Sequence, residues 1–308
     1  MLHARPTKVG PYDPCARCYS NRPDVMNSHS FVALGLIGML AAPHGAAQSR
    51  IVQVGYCTPL RTIDAAKAVG FDYVELSTSE IAGLSDGDFE QAAAHIRQVG
   101  LPVPATNLFL PAALKVTGPD VDREQQMAYV RKAFGRLARL GTQIVVFGSG
   151  GARRVPDGFP KDQAFQQLVE FGRRIAPEAR ARGITIAVEP LRREETNIIN
   201  SAAEGLTLVN AIGDPNFQLM VDFYHLASEK EDPAIIVRAG EHVRHLHVAN
   251  PEGRVFPRKA DEYDYAPFFA ALRTIRYDKR ISVEASTKDL PADAPLAIAL
   301  LRRGFQSR

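Results

Sequence analysis

Four short apolar runs in this chain each carry a side chain that could do chemistry. The run 185–190, "TIAVEP", ends on Glu189 and a proline, followed closely by Arg192, Arg193, Glu194 and Glu195. The run 217–223, "FQLMVDF", carries Asp222, with His225 three residues further on in "VDFYH". In 243–250, "VRHLHVAN", His245 and His247 alternate with apolar residues, so they point to the same side of an extended chain. The run 280–286, "RISVEAS", carries Glu284. Three carboxylates brought to one place repel one another unless a cation holds them. Three oxygen donors and one imidazole suit Mn2+, Mg2+ or Co2+, while Zn2+ is less well matched to so many oxygens.

Each residue also has a structural reading. Glu189 could cap the next helix or pair with Arg192 or Arg193. Asp222 could be a helix N-cap, and Glu284 one half of a surface ion pair. His245 reads better as a satisfied histidine of a barrel interior than as a ligand. The agreement of four separate run ends favours a joint metal site over four unrelated explanations.

Such a site needs elements that bring the run ends together. From Ile51 onward, short runs rich in β-branched residues alternate with longer segments of helical spacing. The earlier runs are "IVQVGY" (51–56), "YVELS" (73–77), "VPATNLF" (103–109) and "QIVVFGS" (143–149). Near-continuous apolar strands suit a parallel sheet covered on both faces. The helical segments carry their own stop signals: "DGDFEQAAAHIRQVG" opens with acids and ends at Gly100, and "SAAEGLTLVNAIG" ends at Gly213. In "DREQQMAYVRKAFGRLARLG", Met127, Val130, Phe134 and Leu137 share a face. Eight strand–helix alternations over about 250 residues predict a single α/β domain, a (β/α)8 TIM barrel over residues 51–305, with catalytic side chains at the C-terminal ends of the strands. An open doubly wound sheet is the weaker alternative, since no G-x-G-x-x-G follows the first run. The glycines of "GSGGARR" (148–154) could hold a phosphate, but a plain loop is the better reading because no helix is expected to start at them.

The first 47 residues differ from the rest. "FVALGLIGMLAA" (31–42) is too short to span a bilayer and has the length of a signal-peptide core, with Gly45 and Ala47 placed before a candidate cleavage point. Residues 1–47 are therefore expected to be a non-barrel leader, a signal peptide or a disordered extension. The expected destination is the periplasm or the exterior, without stable membrane insertion. The missing Lys or Arg between Met26 and the apolar core argues for the cytoplasmic alternative. Cys15 and Cys18 form a lone C-x-x-C within this leader and carry no metal or redox reading. The whole chain has 37 basic and 34 acidic residues and no basic block with interleaved aromatics, so nucleic acid is not an expected partner.

Taken in order and spacing, "VEPLRREETNIINSAAEGL", "VDFYHL", "HLHVANPEGRVFP" and "SVEAS" resemble the xylose isomerase-like barrel superfamily. Within it, the chain is similar to ketose 3-epimerases of the tagatose and psicose type. The resemblance implies one divalent metal ion, Mn2+ first, held by Glu189, Asp222, His247 and Glu284. It implies that Glu189 and Glu284 are also the catalytic acid/base pair, and that Glu195, His225 and Arg254 contact substrate. A small-molecule carbohydrate substrate and a homodimer are implied in the same way. The chain departs from the epimerase pattern at Arg192–Glu195, where Asn-Arg-aromatic-Glu is usual, and at "FPRKADEYDYAPFF", which replaces a Pro-Gly. Both departures are expected to reshape the pocket. Endonuclease IV-like enzymes share part of the pattern, but the histidines their zinc cluster needs after strands three and four are absent from "PATNLF" and "VVFGSGG".

The expected function is a metal-dependent sugar isomerase or epimerase, abstracting a proton next to a carbonyl through a metal-stabilised enediolate. One alternative is a lyase or dehydratase acting on a keto-sugar, 3-keto-glycoside or keto-cyclitol at the same site. A second is a non-catalytic carbohydrate-binding barrel.

Overall fold

In the computed structural model, which describes residues 52–306, eight parallel strands close into a barrel in the order of the sequence. The strands are β1 (Gln53–Cys57), β2 (Tyr73–Ser77), β3 (Ala105–Asn107), β4 (Ile144–Phe147), β5 (Thr185–Val188), β6 (Phe217–Asp222), β7 (Val243–Val248) and β8 (Arg280–Val283). The helices are α1 (Ile63–Ala68), α2 (Thr78–Gly83), α3 (Asp86–Val99), α4 (Arg123–Arg139), α5 (Gly150–Arg153), α6 (Lys161–Arg180), α7 (Ala202–Ile212), α8 (Phe223–Ser228), α9 (Ala234–Ala239), α10 (Ala266–Thr274) and α11 (Leu290–Gln306). Every expected strand is present within three residues of its expected ends, as hydrophobic pattern alone allows. The expected leader and its Cys15–Cys18 pair lie outside the described residues.

Local chemistry explains the helix ends. Ser85, Asp122 and Ser201 accept from backbone N–H groups of the first turns of α3, α4 and α7. Gly100 and Gly213 close α3 and α7 in the left-handed conformation, at φ of 67° and 71°.

The period-two alternation of the strands sorts the side chains into two sets. Outward residues such as Val74, Leu76, Val145, Ile186, Leu219 and Leu246 pack under the helices in one continuous core. Burying each removes a side chain worth about 1.5–3 kcal/mol from water. Inward residues fill the barrel. Tyr73, Ala105, Ile144, Val146, Ala187 and Met220 form its lower apolar plug. Tyr73 fits there because β1 contributes Gly55, where a Cβ would lie 2.2 Å from the ring. Above the plug the inward positions turn polar, and the strand ends open into a mouth. Among the described residues no helix is long and apolar enough to cross a membrane.

Candidate active site

At that mouth Glu189, Asp222, His247 and Glu284 each offer a ligand atom, all within 4.8 Å of one another. Each is placed by backbone register. Glu189 follows β5, its N–H bonded to the Phe147 carbonyl at 3.1 Å. Asp222 ends β6 and lies opposite His247 of β7 in the ladder. Glu284 follows β8, its N–H on the Val248 carbonyl at 3.0 Å. Asp222 does two jobs. Its Oδ1 accepts from the Tyr224 N–H at 2.8 Å and caps α8, which leaves Oδ2 for the cluster. Asp222 is therefore the expected N-cap and at the same time presents one oxygen toward the other three side chains.

The donors fit a divalent cation. Glu189 Oε1, Asp222 Oδ2 and His247 Nδ1 are all buried without a hydrogen-bond partner. Native proteins seldom leave such atoms unpaired, and here they converge. His247 Nδ1 lies 3.4 Å from Glu189 Oε1 and 3.5 Å from Glu284 Oε2. The acids also feel one another. Burial, then the charges of Glu284 and Glu189, push the Asp222 carboxyl up to about 8. Burial and Glu284 raise Glu189 in the same direction. Burial works against the charge of Glu284, but His247 and Arg254 outweigh it and bring its carboxyl down to about 2. A bound cation relieves this repulsion and satisfies the unpaired atoms.

Above the cluster opens a cavity of about 610 Å³. Glu195 and Arg254 line it and bond to each other, Nη1 to Oε1, at 3.1 Å. Arg254 Nη2 reaches Glu284 Oε2 at 2.6 Å, and Asn107 Nδ2 donates to Glu284 Oε1 at 3.0 Å. His225 is buried beside Asp222, with its Nδ1 accepting from the Arg192 N–H at 3.2 Å. Burial, then Arg254, lower its pKa to about 3, so the ring is neutral and its proton is on Nε2. That N–H is buried without a partner, 3.6 Å from Asp222 Oδ2. Arg192 and Arg254 both stack on the Tyr224 ring, 5.1 Å and 4.6 Å from its centre, and Arg192 Nε holds Glu195 at 2.9 Å.

The family described as xylose isomerase-like TIM barrel matches residues 63–304. The chain belongs to that family. It is 25% identical to the L-ribulose 3-epimerase of Mesorhizobium japonicum over 236 residues, 75% of this chain and 76% of that one. It is 30% identical to the D-psicose 3-epimerase of Enterocloster bolteae over 229 residues, 70% of this chain and 72% of that one. The crystal structure of D-allulose 3-epimerase from Methylomonas sp. superposes with a TM-score of 0.73 at 23% identity, over 83% of this chain and 98% of that one, a likeness of fold.

This xylose isomerase-like barrel differs from the sequence reading in several places. Neither departure from the epimerase pattern lines the cavity as expected, apart from Glu195 itself. Its wall runs from Gly253 and Arg254 to Glu284, with nothing from 256–269. Instead Tyr263, Tyr265 and Phe268 of that stretch pack on Phe223, behind α8, with ring centres 5.0–5.7 Å apart. Arg193 turns away to Glu229 rather than toward Glu189. A helix does start at the glycines after β4, the single turn α5, because Ser149 adopts φ 42° and redirects the chain.

Four residues of the site went unread. Arg153 of α5 is wholly buried and donates to the carbonyls of Phe147 and Glu189, at 3.0 and 2.7 Å, tying the ends of β4 and β5 together. Gly148 leaves room for the Glu189 carboxylate, since a Cβ there would lie 2.2 Å from Oε2. Asn107 had a signal in its place at the end of the third run. Glu75 had one too, as an acid inside the apolar run "YVELS". His245 is the satisfied interior histidine expected, bonded to Glu75 at 2.7 Å. Cys57, Glu75 and His247 also lie close enough to share an ion, but both Glu75 oxygens are already bonded. Burial, then Glu75, also hold the Cys57 thiol well above its ordinary pKa.

Proposed function

We propose that the chain is a divalent-metal-dependent sugar isomerase or epimerase that moves a proton on the carbon next to a carbonyl. The observation that carries this reading is the convergence of four ligand atoms, three of them buried and unpaired, below a sugar-sized cavity. The epimerase names of the relatives support it, and favour epimerisation over isomerisation. Nothing in those names supports a lyase, and a barrel that only binds sugar would have no use for two opposed glutamates.

In this reading Glu189, Asp222, His247 and Glu284 hold the ion, with Mn2+ best suited to the donors. When bound, it polarises a substrate carbonyl and the adjacent hydroxyl as a Lewis acid. Glu189 and Glu284 come from strands three places apart around the ring and can work from different sides. One removes the carbon-bound proton and the other returns a proton to the opposite face. Asn107 and Arg254 fix the two oxygens of Glu284, while Gly148 and Arg153 fix the position of Glu189. His225 Nε2–H donates to a substrate oxygen, and Glu195 and Arg254 bind hydroxyls at the cavity wall.

The wall charge favours an uncharged sugar. Four carboxylates line the cavity, those of Glu80, Glu189, Glu195 and Glu284. Its one basic lining residue, Arg254, is already paired with two of them. A phosphate dianion would meet net repulsion there.

The test is to incubate purified protein with free ketoses in D2O. With added Mn2+, deuterium should enter at the carbon next to the carbonyl, and EDTA or a Glu284→Gln substitution should abolish the exchange. Protein that carries no divalent metal and shows no exchange with any ketose would refute the proposal. Export with cleavage after Ala47, and a homodimer, are separate proposals. The N-terminal sequence of the native protein and its mass in solution decide them.

A further inference from the structure

Beneath the four ligand atoms lies a charged group that the proposed proton transfer does not use. Glu75 points inward from β2 and is fully buried. Its Oε1 accepts from His247 Nε2 at 2.9 Å. Its Oε2 accepts from His245 Nε2 at 2.7 Å and from Ser282 Oγ at 2.6 Å. Because the Ser282 proton goes to Glu75, the Tyr73 hydroxyl donates to Ser282, at 2.8 Å. Side chains of two other strands, β7 and β8, thus converge on one carboxylate of β2. Burying such a charge is penalised by several kcal/mol before its partners repay it. The plug below is apolar, as Ala105, Val146, Ala187 and Met220 show, and packed apolar residues often replace such a buried charged cluster without loss of stability, so stability alone does not explain Glu75.

The geometry of His247 supplies the reason. A neutral imidazole carries its one proton on either nitrogen, and only the nitrogen without it can bind a metal. Nδ1 faces Glu189 and Glu284, and Nε2 faces Glu75. We propose that Glu75 is the positioning residue of the metal centre, accepting the Nε2 proton of His247 so that Nδ1 presents its lone pair to the ion. His245 and Ser282, both donating to Oε2, keep the carboxylate from rotating away. Cys57 Sγ also lies within reach of His247 Nε2, at 3.7 Å, but a thiol sulfur is a weak acceptor and does not match a carboxylate. The inference rests on the metal reading above and adds a residue to it.

Glu75→Gln keeps the side-chain shape, removes the charge and leaves one acceptor where three donors meet. Ser282→Ala removes one of those donors and leaves the His247 contact intact. Mn2+ titration of the three full-length proteins reads the affinity, and the melting temperature of each metal-free protein reads its stability. Glu75→Gln should bind Mn2+ about 10–100-fold more weakly than the wild type, as loss of such a partner typically does. Ser282→Ala should bind close to the wild type even where its metal-free melting temperature is lower. Equal Mn2+ affinity in wild type and Glu75→Gln would overturn the proposal. So would a loss of affinity in both variants that merely follows their loss of stability. Should Glu75→Gln not fold, nitrogen NMR of Mg2+-loaded wild type decides. A proton on His247 Nε2 supports the assignment and a bare Nε2 refutes it. A wild type that binds no Mn2+ would instead bring down the metal reading itself, a separate and distinguishable result.

Discussion

At position 148 a single methyl group is enough to disturb the site. A Cβ there would sit 2.2 Å from Glu189 Oε2, and the carboxylate has little freedom because Arg153 holds its backbone carbonyl at 2.7 Å. Gly148→Ala should therefore push the acid out of place without unfolding the barrel. Displacements of about 1 Å at a reacting group lower rates by about a hundredfold. The expected result is a kcat reduced by that factor with a melting temperature near the wild type's. An unchanged kcat would show that Glu189 has room the geometry denies it. His225 illustrates the same economy of placement. Its Nδ1 is occupied by a backbone N–H, so the only atom it can offer to substrate is Nε2–H.

Among the elements, α8 matters beyond its six residues. It begins where β6 ends, is capped by a candidate ligand, Asp222, and carries His225. Its outer face rests on Tyr263 and Tyr265, from the connection between β7 and α10, and on Phe268 in the first turn of α10. This explains a stretch that departs from the epimerase pattern: it braces a functional helix from behind. Phe223→Ala should remove the contact on which the three rings converge. Large-to-small changes at a buried phenylalanine cost about 3–5 kcal/mol. The same change should also lower kcat, because Asp222 and His225 lose their support. Chemical denaturation and steady-state kinetics measure the two effects. A loss of stability with unaltered kinetics would limit the bracing role to folding.

Across the whole molecule, a bound cation should stabilise the barrel because it ties β5, β6, β7 and β8 together at their ends. A ligand at a hundred times its Kd contributes about 2.7 kcal/mol. For a domain of this size that corresponds to a rise in Tm of about 5–10 °C, at about 2–4 °C per kcal/mol. The effect should grow with pH. The Asp222 carboxyl, ordinarily at 3.8, stands at about 8 in the metal-free fold because of burial and then Glu284 and Glu189. Between those values the folded chain keeps a proton that the unfolded chain has released, so this contribution to stability falls as pH rises through the window. Metal takes the place of the proton. The Mn2+-induced rise in Tm should thus be larger near about pH 8 than near about pH 6, since the ligand must be deprotonated to bind. Thermal melts with Mn2+ and with EDTA at both pH values check this, and a rise that shrinks with pH would contradict it.

The barrel and the four strand ends that carry the candidate ligands were legible because both depend on local pattern. Period-two apolar runs separated by helical spacing specify strands and their order, and the end of each run marks where a side chain enters the mouth. That order groups Glu189, Asp222, His247 and Glu284 at one mouth, although Glu284 lies 95 positions after Glu189. The signal of Glu75 was weaker, because an acid in an apolar run says nothing of which strands it will face. Arg153 and Gly148 looked like parts of a loop, since their roles are defined by carbonyls and a carboxylate from the neighbouring strand. The sequence by itself determined the fold, the candidate ligands and the interior place of His245. Only the tertiary structure decided which nitrogen of His247 faces the ligands, how Arg192 and Arg254 share Tyr224, and that residues 256–269 support α8 rather than line the cavity. Each of those depends on distances between residues far apart in the chain, which closure of the barrel sets and local periodicity does not encode.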